Sequence, residues 1–173
     1  MFIDKLSSGK DVPNVVNVLI EVSMNCMPVK YEFDKEVGTI VVDRIVHTPM
    51  HYPGNYGFIP HTMSDDGDPV DVMVLTKFPL QSGCVVECKP IGVLIMEDES
   101  GQDEKIIAVP TEKIHISYKD INDLSDLPEI TREEIAYFFT HYKDLEKNKW
   151  AKVKGFENAA FAKDLIKKAV VSK

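Results

Sequence analysis

At 173 residues the chain is the size of one ordinary domain, and 44% hydrophobic with 28% charged residues gives it the material for a packed core rather than a disordered tract. A formal net charge of −8 argues against a protein that lives by neutralising nucleic-acid phosphates or an anionic membrane. No apolar stretch approaches the ~20 residues of a membrane-spanning helix, and the N-terminal "MFIDKLSSGKDVPN" carries charges where a signal peptide needs an apolar run.

Taken in chain order, residues 15 to about 110 read as short strands joined by turns. In "VVNVLIEV", Val16, Val18, Ile20 and Val22 share one face at period two, with Asn17 and Glu21 on the other. "VKYEF" and "TIVVDRIV" flank "DKEVG", a hairpin turn in which Gly38 can take positive φ. Alternation sets Lys30, Glu32 and Asp34 against Tyr31 and Phe33. The simple register pairs Lys30 with Asp43, one extra turn residue pairs it with Arg44, and the pattern leaves both open. Val70–Thr76, Cys84–Met96 and Lys105–Val109 are further strands, and six prolines from Pro53 to Pro110 punctuate this half. Many short strands with frequent turns point to a small closed or nearly closed barrel.

The period changes after "DLSDLPE". Ile135, Phe138, Phe139, Tyr142 and Leu145 recur at helical spacing, with acids early, lysines late and Pro128 suited to the first turn. A second helix starts near Asn158 and buries Ala162, Leu165, Ile166 and Ala169. Residues from about 128 onward therefore read as helices packed outside the barrel. With no repeat, low-complexity tract or linker, residues 1–173 read as a single domain.

The chemistry concentrates in acidic segments. "SDDGDPVDVMV" places Asp65, Asp66, Asp68 and Asp71 at the mouth of an apolar strand. A lone Asp-Gly-Asp turn is usually only solvated. Here Asp71 lies inside the strand run, where an unpaired carboxylate is expensive, and closely spaced aspartates suit a hard divalent cation. An EF-hand is excluded: with Asp66 first, the sixth position is Asp71 and the twelfth Lys77 rather than glycine and glutamate. A second acidic turn, "EDESGQDEK", supplies Glu97, Asp98, Glu99, Asp103 and Glu104; two such loops at one rim could hold several cations, an arrangement suited to phosphoryl transfer. Lys30, Arg44, Tyr52, Tyr56, Tyr142 and Lys143 are candidate phosphate partners. Against that, Tyr142 falls on the apolar stripe and Lys143 reads equally as a solvated lysine. The five histidines show no metal-ligand spacing, and no serine-nucleophile elbow or phosphate-binding glycine loop is present. Cys26, Cys84 and Cys88, an odd and sparse set, point to a reducing cytoplasm rather than a zinc or disulfide framework.

"DGDPVDVMV" resembles the signature of the soluble family I inorganic pyrophosphatases. "VKYEFDKEVGTIVVDR", "YPGNYGFIP", "PIGVLIMEDESGQDEKIIAVP", "HYKDLEKNKW" and "GFENAAFA" resemble the bacterial branch in the same order, over essentially the whole chain. The resemblance implies an α+β, mainly β fold: a small twisted five-stranded OB-like β-barrel with two helices packed outside. It implies Mg²⁺-dependent hydrolysis of inorganic pyrophosphate, taken as its metal complex, by a cytoplasmic homohexamer. By the same resemblance Asp66, Asp71 and Asp103 bind a first metal, Asp71 is shared with a second, Asp98 and Asp103 hold a third, and Glu32 helps hold an ion on the other phosphate. Asp68 is the general base, Lys30, Arg44, Tyr56, Tyr142 and Lys143 grip phosphate, and Glu21, Tyr52, Glu99 and Lys105 support the site. Two rivals differ in class: a metal-dependent phosphohydrolase of nucleotides or phosphate esters, and a non-enzymatic OB-like binding module. The missing basic aromatic strip weighs against the second as a nucleic-acid binder.

Overall fold

The β-branched run of β1 (Val16–Val22) is buried on both faces, and only Asn17 approaches solvent. A strand with that pattern needs neighbours on every side, and the computed structural model, which describes residues 3–64 and 67–171, supplies them. The further strands are β2 (Val29–Asp34), β3 (Thr39–Ile45), β4 (Asn55–Phe58), β5 (Asp71–Val74), β6 (Val85–Asp98), β7 (Gly101–Pro110) and β8 (Ala151–Asn158); the helices are α1 (Glu129–His141) and α2 (Ala159–Ala169). β1 pairs antiparallel with β4, β4 with β5, β7 with β6 and β6 back to β1, while β5 and β7 run parallel. The five strands close a ring, the OB-like barrel expected from the turn-rich pattern.

β6 makes closure possible because it serves two partners on one edge. Val85–Cys88 pair with β1 and Gly92–Asp98 pair with β8, while β7 runs along the other edge. The changeover falls at a register shift between Pro90 and Gly92, where proline cannot donate to a ladder. Glycine also sets the β1–β4 approach: a Cβ on Gly57 would lie 1.9 Å from the Leu19 carbonyl oxygen.

Period two then sorts the core. Val16, Val18, Ile20, Val72, Val74, Val86, Cys88, Val93, Ile106 and Ala108 form one buried cluster inside the ring, joined by Ala162 and Ile166 of α2. The alternate residues Met73, Leu94, Met96 and Ile107 face outward and are covered by Ile135, Phe138 and Phe139 of α1. Each such apolar side chain taken fully from water contributes about 1.5–3 kcal/mol. Asn158 caps α2, its side chain accepting from the Phe161 amide at 3.0 Å. The β2–β3 hairpin stands apart as a two-stranded ribbon, and Phe33 packs its root on Leu19 and Phe58.

Two expectations from the sequence need correction, and the hairpin register left open is decided. β4 and β8 are strands; Pro/Gly-rich context hides the first, and the second is half-exposed, with no buried residue to signal it. α1 ends at His141 with Tyr142 as its C-cap, so Leu145 leaves the apolar stripe and is 62% exposed. In the hairpin Lys30 pairs with Arg44, with a bulge between Lys30 and Tyr31.

Candidate active site

The barrel's outward face, not its interior, carries the polar cluster. In the parallel β5–β7 ladder Val72 stands opposite Ile106, which brings Asp71 level with Lys105 one residue before each. Asp103 and Lys105 share a face at period two, and the β6–β7 hairpin, closed by Asp98 opposite Gly101, adds Asp98 and Glu99 at the same end. Gly101 takes φ +126 in that turn, a value side chains disfavour. The hairpin contributes Lys30, Glu32 and Arg44, β4 contributes Tyr56, and the residues just past α1 contribute Tyr142 and Lys143.

These groups line two adjoining cavities of about 320 and 190 Å³ that share Lys30, Tyr56, Asp68 and Asp71. The larger also takes Arg44, Tyr52, Asp98, Glu99, Asp103, Lys105, Tyr142 and Lys143; the smaller takes Glu21 and Glu32. Sequence positions from 21 to 143 thus converge on one cleft. Asp66 lies outside the described residues.

Charge pairing is dense. Lys105, 4% exposed, donates to Asp71 at 2.5 Å and to Asp103 at 2.7 Å. Lys143, 6% exposed, donates to Asp98 at 2.7 Å and faces Glu99 at 3.3 Å, so it is no solvated lysine. Lys30 pairs with Glu32 and with Asp43 at 3.2 Å; Arg44 donates from Nη1 to Asp43 at 2.6 Å and from Nε to Glu146 at 3.2 Å. Tyr142 plays both parts weighed for it: it stacks on Phe138 in the core and also lines the cavity.

The protonation equilibria follow from burial and these partners. Burial raises the Glu21 carboxyl to about 8, against an opposing hydrogen bond from the Phe33 amide at 2.7 Å, with Asp71 adding to the rise. Burial, with Asp71 and Asp98 nearby, also raises Asp103 despite Lys105. Asp98 goes the other way: its burial is overcome by the hydrogen bond and charge of Lys143. Burial raises Tyr52, Tyr56 and Tyr142, so their hydroxyls stay protonated donors.

The donor set suits a hard divalent cation. Asp71 and Asp103 direct carboxylate oxygens at one point, now met by the Lys105 ammonium, and Asp98 lies beside them. Among the described residues no three acidic, histidine or cysteine side chains close on a single ion. Lys149, Ser100 and Gln102, which residue spacing does not single out, also line the larger cavity, and Glu146 joins Asp43 as a partner of its cations. Glu146 and Lys149 sit inside "HYKDLEKNKW", past the end of helical periodicity, where residue spacing carries no signal.

A family model described as inorganic pyrophosphatase matches residues 18–172. The chain belongs to the inorganic pyrophosphatase family. It is 56% identical over 98% of its length to the inorganic pyrophosphatase of Rickettsia felis, covering 98% of that protein. A crystal structure described as an inorganic phosphatase from Anaplasma phagocytophilum superposes with a TM-score of 0.94 at 49% identity, covering 96% of this chain and 97% of that one. The inorganic pyrophosphatase of Helicobacter pylori gives a TM-score of 0.92 at 48% identity, covering 96% of each chain. Family members are metal-dependent enzymes, in keeping with the oxygen-rich cleft.

Proposed function

We propose that this chain, as one domain, hydrolyses inorganic pyrophosphate to two phosphates with Mg²⁺, as a cytoplasmic homohexamer. The observation that carries the reading is the convergence of carboxylates and cations on one cleft: an anion bristling with charge needs both metal ligands and phosphate partners, and neither set alone would serve. The family relationship supports the same substrate. No helix among the described residues is long and apolar enough to cross a membrane.

Asp66, Asp71 and Asp103 would hold a first Mg²⁺, Asp71 also a second, Asp98 and Asp103 a third, and Glu32 an ion on the other phosphate. Bound Mg²⁺ supplies charge neutralisation and a more acidic water. Asp68, at the junction of the two cavities, accepts the proton of the attacking water. A bond forms from that water's oxygen to one phosphorus as the bond to the bridging oxygen breaks, and the departing phosphate carries the electron pair away. Lys30, Arg44 and Lys143 stabilise its charge, and Tyr56 and Tyr142 donate hydrogen bonds without adding charge. Glu21 holds the β2 backbone at Phe33, Tyr52 packs between Tyr56 and Phe138, Lys105 spaces Asp71 from Asp103, and Glu99 steadies Lys143.

A substrate panel tests the reading. Pyrophosphate, ATP and p-nitrophenyl phosphate are offered at equal concentration with Mg²⁺. Pyrophosphate is expected to be hydrolysed at least about 100-fold faster than either; a preference for the nucleotide or ester would overturn the assignment.

A further inference from the structure

The Glu146 side chain is only 7% exposed, yet it lines neither cavity. Its two oxygens are divided between two cations that do line the larger one: Oε1 accepts from Arg44 Nε at 3.2 Å, and Oε2 faces Lys149 Nζ at 3.5 Å. Arg44 Nη1 is separately tied to Asp43 at 2.6 Å. A planar guanidinium held at Nε and Nη1 has its plane and direction set, and these hydrogen bonds leave Nη2 for an anionic oxygen. The turn that carries Glu146 is itself fastened. The Glu146 amide donates to the Lys143 carbonyl at 2.9 Å, and Thr48 Oγ1 donates to the Tyr142 carbonyl at 3.3 Å.

We infer that Glu146 is a positioning residue that, from outside the cavity, aims Arg44 and more weakly Lys149 at the phosphate oxygens of the substrate. The inference rests on the pyrophosphate reading above. Without Glu146 the guanidinium keeps only its Asp43 tether and swings toward the hairpin, away from the cleft. The Lys149 pair, longer and more than one-third exposed on the lysine side, contributes less. The competing explanation is a purely structural tie between β3 and the turn after α1, across 102 residues of chain.

A double-mutant cycle on kcat/KM for Mg²⁺-pyrophosphate, read beside urea unfolding of the same variants, separates the two: loss of aim leaves the Glu146→Ala unfolding midpoint near wild type, whereas a midpoint that falls in step with kcat/KM would mark a purely structural tie and overturn the inference. Glu146→Ala is expected to lower kcat/KM about 10- to 100-fold, the scale of a misplaced anchoring group. In an Arg44→Ala background the same change is expected to cost no more than about threefold. An equal loss in both backgrounds, or no loss in the first, would overturn the inference. Should Glu146→Ala fail to fold, Glu146→Asp keeps the charge but withdraws the carboxylate by one carbon, and the same non-additivity is required of it. A wild-type protein inert toward pyrophosphate would instead refute the underlying reading, so the two failures are distinguishable.

Discussion

Glu21→Gln isolates one consequence of building a carboxylate cluster on a barrel wall. Glu21 is 8% exposed, accepts from the Phe33 amide and faces Asp71, and its carboxyl is raised from 4.5 to about 8. A carboxyl raised on folding is protonated in both states below pH 4.5 and then costs nothing. Between pH 4.5 and about 8 the unfolded chain ionises it freely while the folded chain resists, so stability falls as pH rises. At 1.36 kcal/mol per pH unit, full development of that interval amounts to about 5 kcal/mol. Glutamine keeps an oxygen for the Phe33 amide and does not ionise. The gap in unfolding free energy between Glu21→Gln and wild type should therefore swing in the variant's favour by about 2–5 kcal/mol from pH 4.5 to pH 8. Urea unfolding of metal-free protein at both pH values measures it. A gap that does not change with pH, or moves toward wild type, would refute the reasoning.

Asp68→Asn should lose about 100- to 10,000-fold in kcat while still binding Mg²⁺ by calorimetry; a near-native rate would remove Asp68 as the base. Lys105→Met leaves Asp71 and Asp103 facing each other without their shared cation, so metal-free protein should lose about 3–5 kcal/mol in urea unfolding, part of it recovered with Mg²⁺. An unchanged midpoint without metal would contradict the pairing. Leu94→Ala, at a fully buried position beneath α1, should cost about 2–5 kcal/mol with kcat preserved in the folded fraction, as read by thermal melting and assay. Gly57→Ala should fail to give soluble folded protein, because its Cβ meets the Leu19 carbonyl; a native melting temperature would show that β1 and β4 can part cheaply.

What the sequence shows and hides follows from what each element buries. β1 announces itself because its alternation is apolar on a face that packs inside the ring. β8 pairs with β6 and packs Ala151, Val153 and Phe156 only partly buried against the core, so lysines at 152 and 154 mask it beside two helices. The hairpin register was undecidable from alternation alone, since a bulge shifts it by one residue; Lys30 then stands opposite Arg44 while still reaching Asp43. Each described residue given a role by the resemblance lines the cleft, because those motifs place strand ends and turns on one face, whereas Glu97 pairs with Lys154 and, like Glu104, lines neither cavity. Glu146 lies beyond that reach: it acts on a neighbouring cation, and pairing with Arg44 across 102 residues leaves no trace in local spacing.

The most direct test is the initial rate of phosphate release from pyrophosphate by purified wild-type protein with Mg²⁺, after chelation, and after Mg²⁺ is restored. The account requires turnover with Mg²⁺, its loss on chelation and its return on restoration. Turnover that survives chelation, or none with Mg²⁺ in excess, would contradict it.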